Sequence, residues 1–213
     1  MLHEQVVETG TLELIKRLCS DGQLSSFCLV GGTALALQLG HRRSEDIDLF
    51  TQEDIETTSL NAYLSNEYSF SLSFVEKNTL KGDIRGVKVD LITFPYRMVN
   101  PMITEGGMRL AGRGDIAAMK LSAIAQNGTR LKDFVDIAFL SSTMSFSEMI
   151  DCYAEKFPNS NPVIPLKAVS YFDDINFNES IAVFNARFDW EKIRKRILAM
   201  QRSPHTVFPS APL

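Results

Sequence analysis

Asp46 and Asp48 lie two residues apart in Ser44-Glu-Asp-Ile-Asp-Leu-Phe50, where Ile47 and Leu49 alternate with them. Side chains two apart on a strand leave the same face, so both carboxylates can point at one hard cation, and magnesium takes oxygen ligands. Alone, this pattern is also that of an ordinary solvated strand face. A third carboxylate, Asp90, sits in a second alternating stretch, with Val87, Val89 and Leu91 on one side and Lys88, Asp90 and Ile92 on the other. Three carboxylates converging at a sheet edge repel one another unless a cation neutralises them. Magnesium in a two-ion site would activate an attacking hydroxyl and neutralise a departing pyrophosphate.

Gly31-Gly32-Thr33 precedes the acidic strand and falls where a short apolar run, Phe27 to Val30, gives way to the helix formers Ala34 to Leu39. Glycines at a strand-to-helix junction let backbone amides approach a phosphate, the helix N-terminus adds free N–H groups, and the Thr33 hydroxyl can join them. A third cluster is Lys120 on one helix and Lys132, Asp133 and Asp136 on the next. The lysines could hold phosphate or transition-state charge and the aspartates could orient them. Lys132 and Asp136, four apart, also fit a surface ion pair.

These groups need a scaffold. Leu12, Ile15 and Leu18 share one helical face, so a first helix spans Thr11 to Leu18. Phe70, Leu72 and Phe74 alternate as a strand, and Arg85-Gly86 is a hairpin turn. From Asp115 onward the pattern turns helical, with helices from Asp115, from Thr129 to Leu140, from Met149 to Phe157 after the capping box Ser145 to Glu148, and from Asp189 to Met200. The expectation is an α+β protein, a small mixed sheet flanked by helices, with a catalytic core at 1–110 and a helical region at 111–213 that completes the active-site cleft.

Composition excludes several classes. A net charge of -4 and a pI near 5.4 argue against a continuous basic surface that coats nucleic acid. Cys19, Cys28 and Cys152 are too widely spaced for a zinc site or a disulfide framework. No apolar run is long enough to span a membrane, and a cytoplasmic protein is expected. His3, His41 and His205 are read as surface or packing residues, and Trp190 as the anchor of the last helix.

In order, Gly31-Gly-Thr33-Ala-Leu-Ala-Leu, Arg43-Ser-Glu-Asp46-Ile-Asp48-Leu-Phe, Lys88-Val-Asp90-Leu, Asp115-Ile-Ala-Ala-Met-Lys120 and Arg130-Leu-Lys132-Asp133-Phe-Val-Asp136 resemble the motifs of AbiEii-type nucleotidyltransferase toxins, a branch of the DNA polymerase β-like superfamily. The resemblance runs from Phe27 to Leu140. It implies nucleotide contact at Gly31, Gly32, Thr33 and Arg43, and metal ligation at Asp46, Asp48 and Asp90. It also implies phosphate or nucleotide contact at Lys120 and Lys132, and a catalytic or orienting role for Asp133 or Asp136. The activity implied is transfer of a nucleoside monophosphate from an NTP, with the tRNA 3′ end as an acceptor and an antitoxin as protein partner. Transfer to a small molecule or a protein side chain uses the same site, and a module that binds nucleotide or RNA without catalysis is the alternative of another class.

Overall fold

The computed structural model describes residues 1–213. The chain forms two compact units. The first comprises Met1–Gly40, Ser44–Arg97 and Met102–Ala111, the second His41–Arg43, Met98–Pro101 and Gly112–Leu213. A division at 110/111 had been expected; in the structure two short segments from within the first half, 41–43 and 98–101, also go to the second unit.

The first unit is built on β1 (Cys28–Leu29), β2 (Ile47–Thr51), β3 (Ser71–Glu76), β4 (Thr79–Ile84), β5 (Val87–Thr93), β6 (Ile103–Glu105) and β7 (Met108–Leu110). They form one mixed seven-stranded sheet in the order β3-β4-β5-β2-β1-β7-β6. Its helices are α1 (Thr9–Ser20), α2 (Gly31–Leu39) and α3 (Thr57–Tyr68). Period-two alternation separates the faces of the sheet: Ile47, Leu49, Leu80, Ile84, Val89 and Leu91 are 0–1% exposed, while Asp48, Phe50, Lys81, Lys88 and Asp90 belong to the opposite face. The Arg85-Gly86 turn joins β4 to β5, with Ile84 paired to Val87 and both turn residues at positive φ (54° and 85°). Glycine takes that conformation freely, and the pair of positive φ values is the turn geometry whose twist matches a hairpin.

The second unit is helical: α4 (Arg113–Gln126), α5 (Leu131–Leu140), α6 (Phe146–Lys156), α7 (Val163–Ala168) and α8 (Trp190–Arg202). Ser145 caps α6, accepting from the Glu148 backbone while Glu148 accepts from the Ser145 backbone, the reciprocal box expected there. Trp190 packs edge-on against Phe134, Phe172 and Phe177 with centroids 5.3–6.4 Å apart, anchoring α8 as expected. Phe184 N–H donates to His41 O and Arg43 N–H to Ala182 O, which ties 41–43 into this unit. No helix is long and apolar enough to cross a membrane.

Candidate active site

In the first unit β2 and β5 run parallel with Asp48 directly opposite Asp90. Opposed residues on neighbouring strands share a face, so the two carboxylates expected to cooperate are sheet neighbours. The Asp90 side chain is 6% exposed; its Oδ2 lies 3.5 Å from Lys81 Nζ and 3.6 Å from Lys88 Nζ, and its Oδ1 has no hydrogen-bond partner. A buried carboxylate oxygen left without a donor costs on the order of 1–3 kcal/mol or more, a cost that a bound cation removes.

Gly31 opens α2 with φ at +69°, and a Cβ built there would stand 2.6 Å from Asp48 Oδ2. Any larger residue would be strained in its backbone and would collide with the carboxylate. The glycine therefore brings the start of α2 against Asp48. The N-cap, Val30, offers no side-chain acceptor to the Gly31-Gly32 end, and the first-turn N–H groups of a helix are where an anion can bind.

Thr33 departs from expectation. Its side chain is buried, and its hydroxyl donates to the Asp46 carbonyl and shares a 2.8 Å hydrogen bond with Ser44 Oγ. The hydroxyl secures the loop that leads into β2 and is not offered to a phosphate. Asp46 itself is exposed, one residue ahead of β2.

Nor do the three aspartates form a ready-made cage: no three His, Cys, Asp or Glu side chains are grouped as metal ligands. Magnesium does not require one. It keeps several waters and is held by one or two carboxylates together with substrate phosphates. The Asp48–Asp90 pair, with an unpartnered buried oxygen, fits that ion.

The second unit gathers the motif residues of α4 and α5 with two residues from 41–43. Asp133 and Asp136, three apart, face the same side of α5. Lys120 Nζ sits between them, 2.6 Å from Asp133 Oδ1 and 2.8 Å from Asp136 Oδ2. Arg42 meets Asp136 through Nε at 2.7 Å and Nη2 at 3.0 Å, and His41 Nε2 lies 2.9 Å from Asp136 Oδ1. Burial pushes the Asp136 carboxyl up, but Arg42 and Lys120, with hydrogen bonds from His41 and Arg42, hold it well below the ordinary carboxylate range. Burial alone would push the Lys120 ammonium down; Asp136 and Asp133 hold it above its ordinary value. For His41 burial outweighs the pull of Asp136 and lowers its pKa, so it stays neutral, donating from Nε2, while Nδ1 lacks a partner.

Three expectations change here. Lys120, expected at a phosphate, is buried at 6% exposure and committed to two aspartates. Lys132 pairs with Glu179 Oε1 at 2.9 Å rather than with Asp136, which is fully buried, so neither the phosphate role nor the surface pair with Asp136 is what the geometry presents. His41, read as a surface or packing residue, belongs to the buried ion network, and Arg42 was missed altogether. The signal was a His-Arg pair close before the acidic strand, but only the 41–43 connection to the second unit gives it meaning. Arg43 is exposed, its main chain held by Ala182 and Arg42.

Residues 13–208 match the nucleotidyl transferase AbiEii toxins of type IV toxin–antitoxin systems. The chain belongs to this family. An uncharacterised Aquifex aeolicus protein is 32% identical to it over 168 residues, which are 76% of this chain and 81% of that one. Among solved structures, JHP933 of Helicobacter pylori aligns with a TM-score of 0.55 at 17% identity, covering 96% of this chain and 94% of its own. Another H. pylori protein, provisionally assigned as a nucleotidyltransferase, gives 0.56 at 20%, covering 93% and 96%. The AbiEii-family chain thus has the polymerase β-like nucleotidyltransferase fold, α+β as expected.

Proposed function

We propose that this AbiEii-family chain moves a nucleoside monophosphate from an NTP to a hydroxyl at the 3′ end of tRNA, with magnesium and release of pyrophosphate. The observation that carries the reading is the register pairing of Asp48 with Asp90 beside the uncapped, glycine-led start of α2. In the reaction the acceptor oxygen bonds to the α-phosphorus as the bond to the β-bridging oxygen breaks. Pyrophosphate departs and the hydroxyl proton is lost to water. Asp48 and Asp90, joined by Asp46 and the substrate phosphates once nucleotide is present, would hold magnesium, which would supply charge neutralisation and activate the hydroxyl. Gly31 and Gly32 amides receive the triphosphate. Lys120, Asp133 and Asp136 act as positioning residues that brace α4 against α5. A cognate antitoxin is the protein partner that membership in a toxin family implies.

The test incubates the purified chain with labelled NTPs, magnesium and tRNA. Label should enter tRNA with stoichiometric pyrophosphate, and both signals should vanish with a chelator or in Asp48→Asn. Failure of the wild type to label tRNA under any nucleotide would overturn the acceptor assignment, and failure to release pyrophosphate with any acceptor would overturn the reaction.

A further inference from the structure

The face that carries Asp48 and Asp90 continues outward to the edge of the sheet. Asp90 pairs in register with Lys81 on β4, and Lys81 with Phe74 on β3. With Asp48 opposite Asp90, four side chains form one row, Asp48, Asp90, Lys81 and Phe74, running from the middle of the sheet to its edge. Phe74 is 44% exposed, and the side chains of Lys81 and Lys88, which flank Asp90, are 39% and 57% exposed. Lys77, in the turn between β3 and β4, is also exposed. Acidic groups on this stretch are Glu76 and Asp83, and Asp83 Oδ1 is engaged by the Gly86 N–H. An exposed aromatic ring on an edge strand is a liability that folds ordinarily avoid.

We propose that Phe74 and Lys81 form the landing surface for the 3′ end of a single-stranded nucleic acid and present its terminal hydroxyl to Asp90. The inference rests on the nucleotidyl-transfer reading and adds where the acceptor lies. Strand order supplies the direction. The start of α2, which follows β1, meets Asp48 from the β1 side, so the triphosphate takes that flank of the carboxylate pair. The opposite flank, β4 and β3, is left for the acceptor.

Its chemistry suits a polynucleotide: a ring on which any base can stack, with ammonium groups beside it to follow the phosphates, is the combination that binds single strands without reading sequence. Two strand spacings put Phe74 about 10 Å from Asp90, a distance that about two or three nucleotides cover. A small acceptor would have no use for a platform that far from the reacting atoms.

The test uses single-stranded RNA and DNA oligonucleotides of about ten residues, a length within the usual single-strand site size, ending in a 3′-deoxy nucleotide and carrying a 5′ fluorophore. Affinity is read by anisotropy on the full chain, and magnesium-nucleotide affinity by calorimetry on the same proteins. Phe74→Ala should weaken oligonucleotide binding about 5- to 150-fold, the range of one lost base stack, with nucleotide affinity retained. Phe74→Trp should restore binding and show quenching of its indole on stacking. Lys81→Gln should lower the slope of log affinity against log salt by about 0.7. A preference between the RNA and DNA arms identifies which polymer uses the surface. Oligonucleotide binding that is absent in the wild type, equal in Phe74→Ala, or without quenching in Phe74→Trp, while nucleotide binds, overturns this inference and leaves the transfer reading standing. A wild type that binds no magnesium-nucleotide overturns both.

Discussion

Asp136→Asn keeps the size of the side chain and removes the charge that Arg42, Lys120 and His41 share. In the wild type two buried cations, Arg42 and Lys120, face two buried carboxylates, Asp133 and Asp136. The substitution leaves Arg42 with no hydrogen-bonded carboxylate and Lys120 with Asp133 alone. An Asn amide also offers only one acceptor oxygen, and its NH2 must point toward groups that are themselves donors. Removing one partner of a buried pair costs about 3–5 kcal/mol, because the remaining charge stays desolvated. None of this is discounted for solvent, since Asp136 is fully buried and Arg42 is 3% exposed.

Trp190, the single tryptophan, lies in the second unit against Phe134 and reports its unfolding directly. In urea, with a slope of about 2 kcal/mol/M, the fluorescence midpoint should fall by about 2 M. Lys132→Ala, which breaks only a half-exposed pair with Glu179, should cost less than about 1 kcal/mol. A midpoint for Asp136→Asn within about 0.3 M of wild type would refute the claim that the last motif builds the second unit. Loss of transfer with stability intact would then make Asp136 a reacting group instead.

Two further outcomes follow from the same geometry. Gly31→Ala must accommodate φ of +69° and a contact 2.6 Å from Asp48 Oδ2; stability should drop by about 1–2 kcal/mol, and displacement of Asp48 should cut turnover about 100-fold, read by urea unfolding and pyrophosphate release. His41 has a lowered pKa in the fold, so the unfolded chain takes up its proton first as pH falls. Its stabilising effect is whole above the unfolded value near 6.5 and declines below it, by at most about 1.4 kcal/mol per pH unit. Urea midpoints between pH 7.5 and 5 should show this slope, and His41→Gln, whose amide can still donate to Asp136, should flatten it.

The elements bearing the candidate carboxylates and the glycine turn were legible because their residues have few alternatives. Asp48 and Asp90 sit in period-two alternation with residues that must be buried, and Gly31 marks a turn at positive φ where a side chain would also meet Asp48. The parts that were not legible depend on contacts distant in sequence. β4 reads as an indistinct polar run because Lys81 and Asp83 alternate with Gly82, whose Cα faces the Phe70 ring and the Ser71 carbonyl, so the strand has no side chain at its centre. Without β4 the row from Asp48 to Phe74 cannot be drawn. Likewise Lys120 could not be seen as buried until Asp133, Asp136 and Arg42 were gathered around it, and a lysine beside aspartates looks the same in sequence whether it meets a phosphate or a structural carboxylate. Thr33 illustrates the same ambiguity, since a hydroxyl after two glycines suits an anion or the carbonyl of Asp46 equally well.

The three residues His41–Arg43 bear on how the chain can be divided. They leave α2 at Gly40, join the second unit, and return the chain to the first at Ser44. The helical half is therefore no transferable cassette. A gene fragment beginning at Gly112 encodes Lys120, Asp133 and Asp136 but omits Arg42 and His41, so in that cluster it carries two buried acids against one buried cation where the intact protein has two of each. Recombination that exchanged only the C-terminal half would have to bring these residues with it or find new cations for Asp136. Inheritance of the two halves is thereby coupled through this three-residue segment and through Met98–Pro101, whose Val99 and Asn100 N–H groups donate to Asp115.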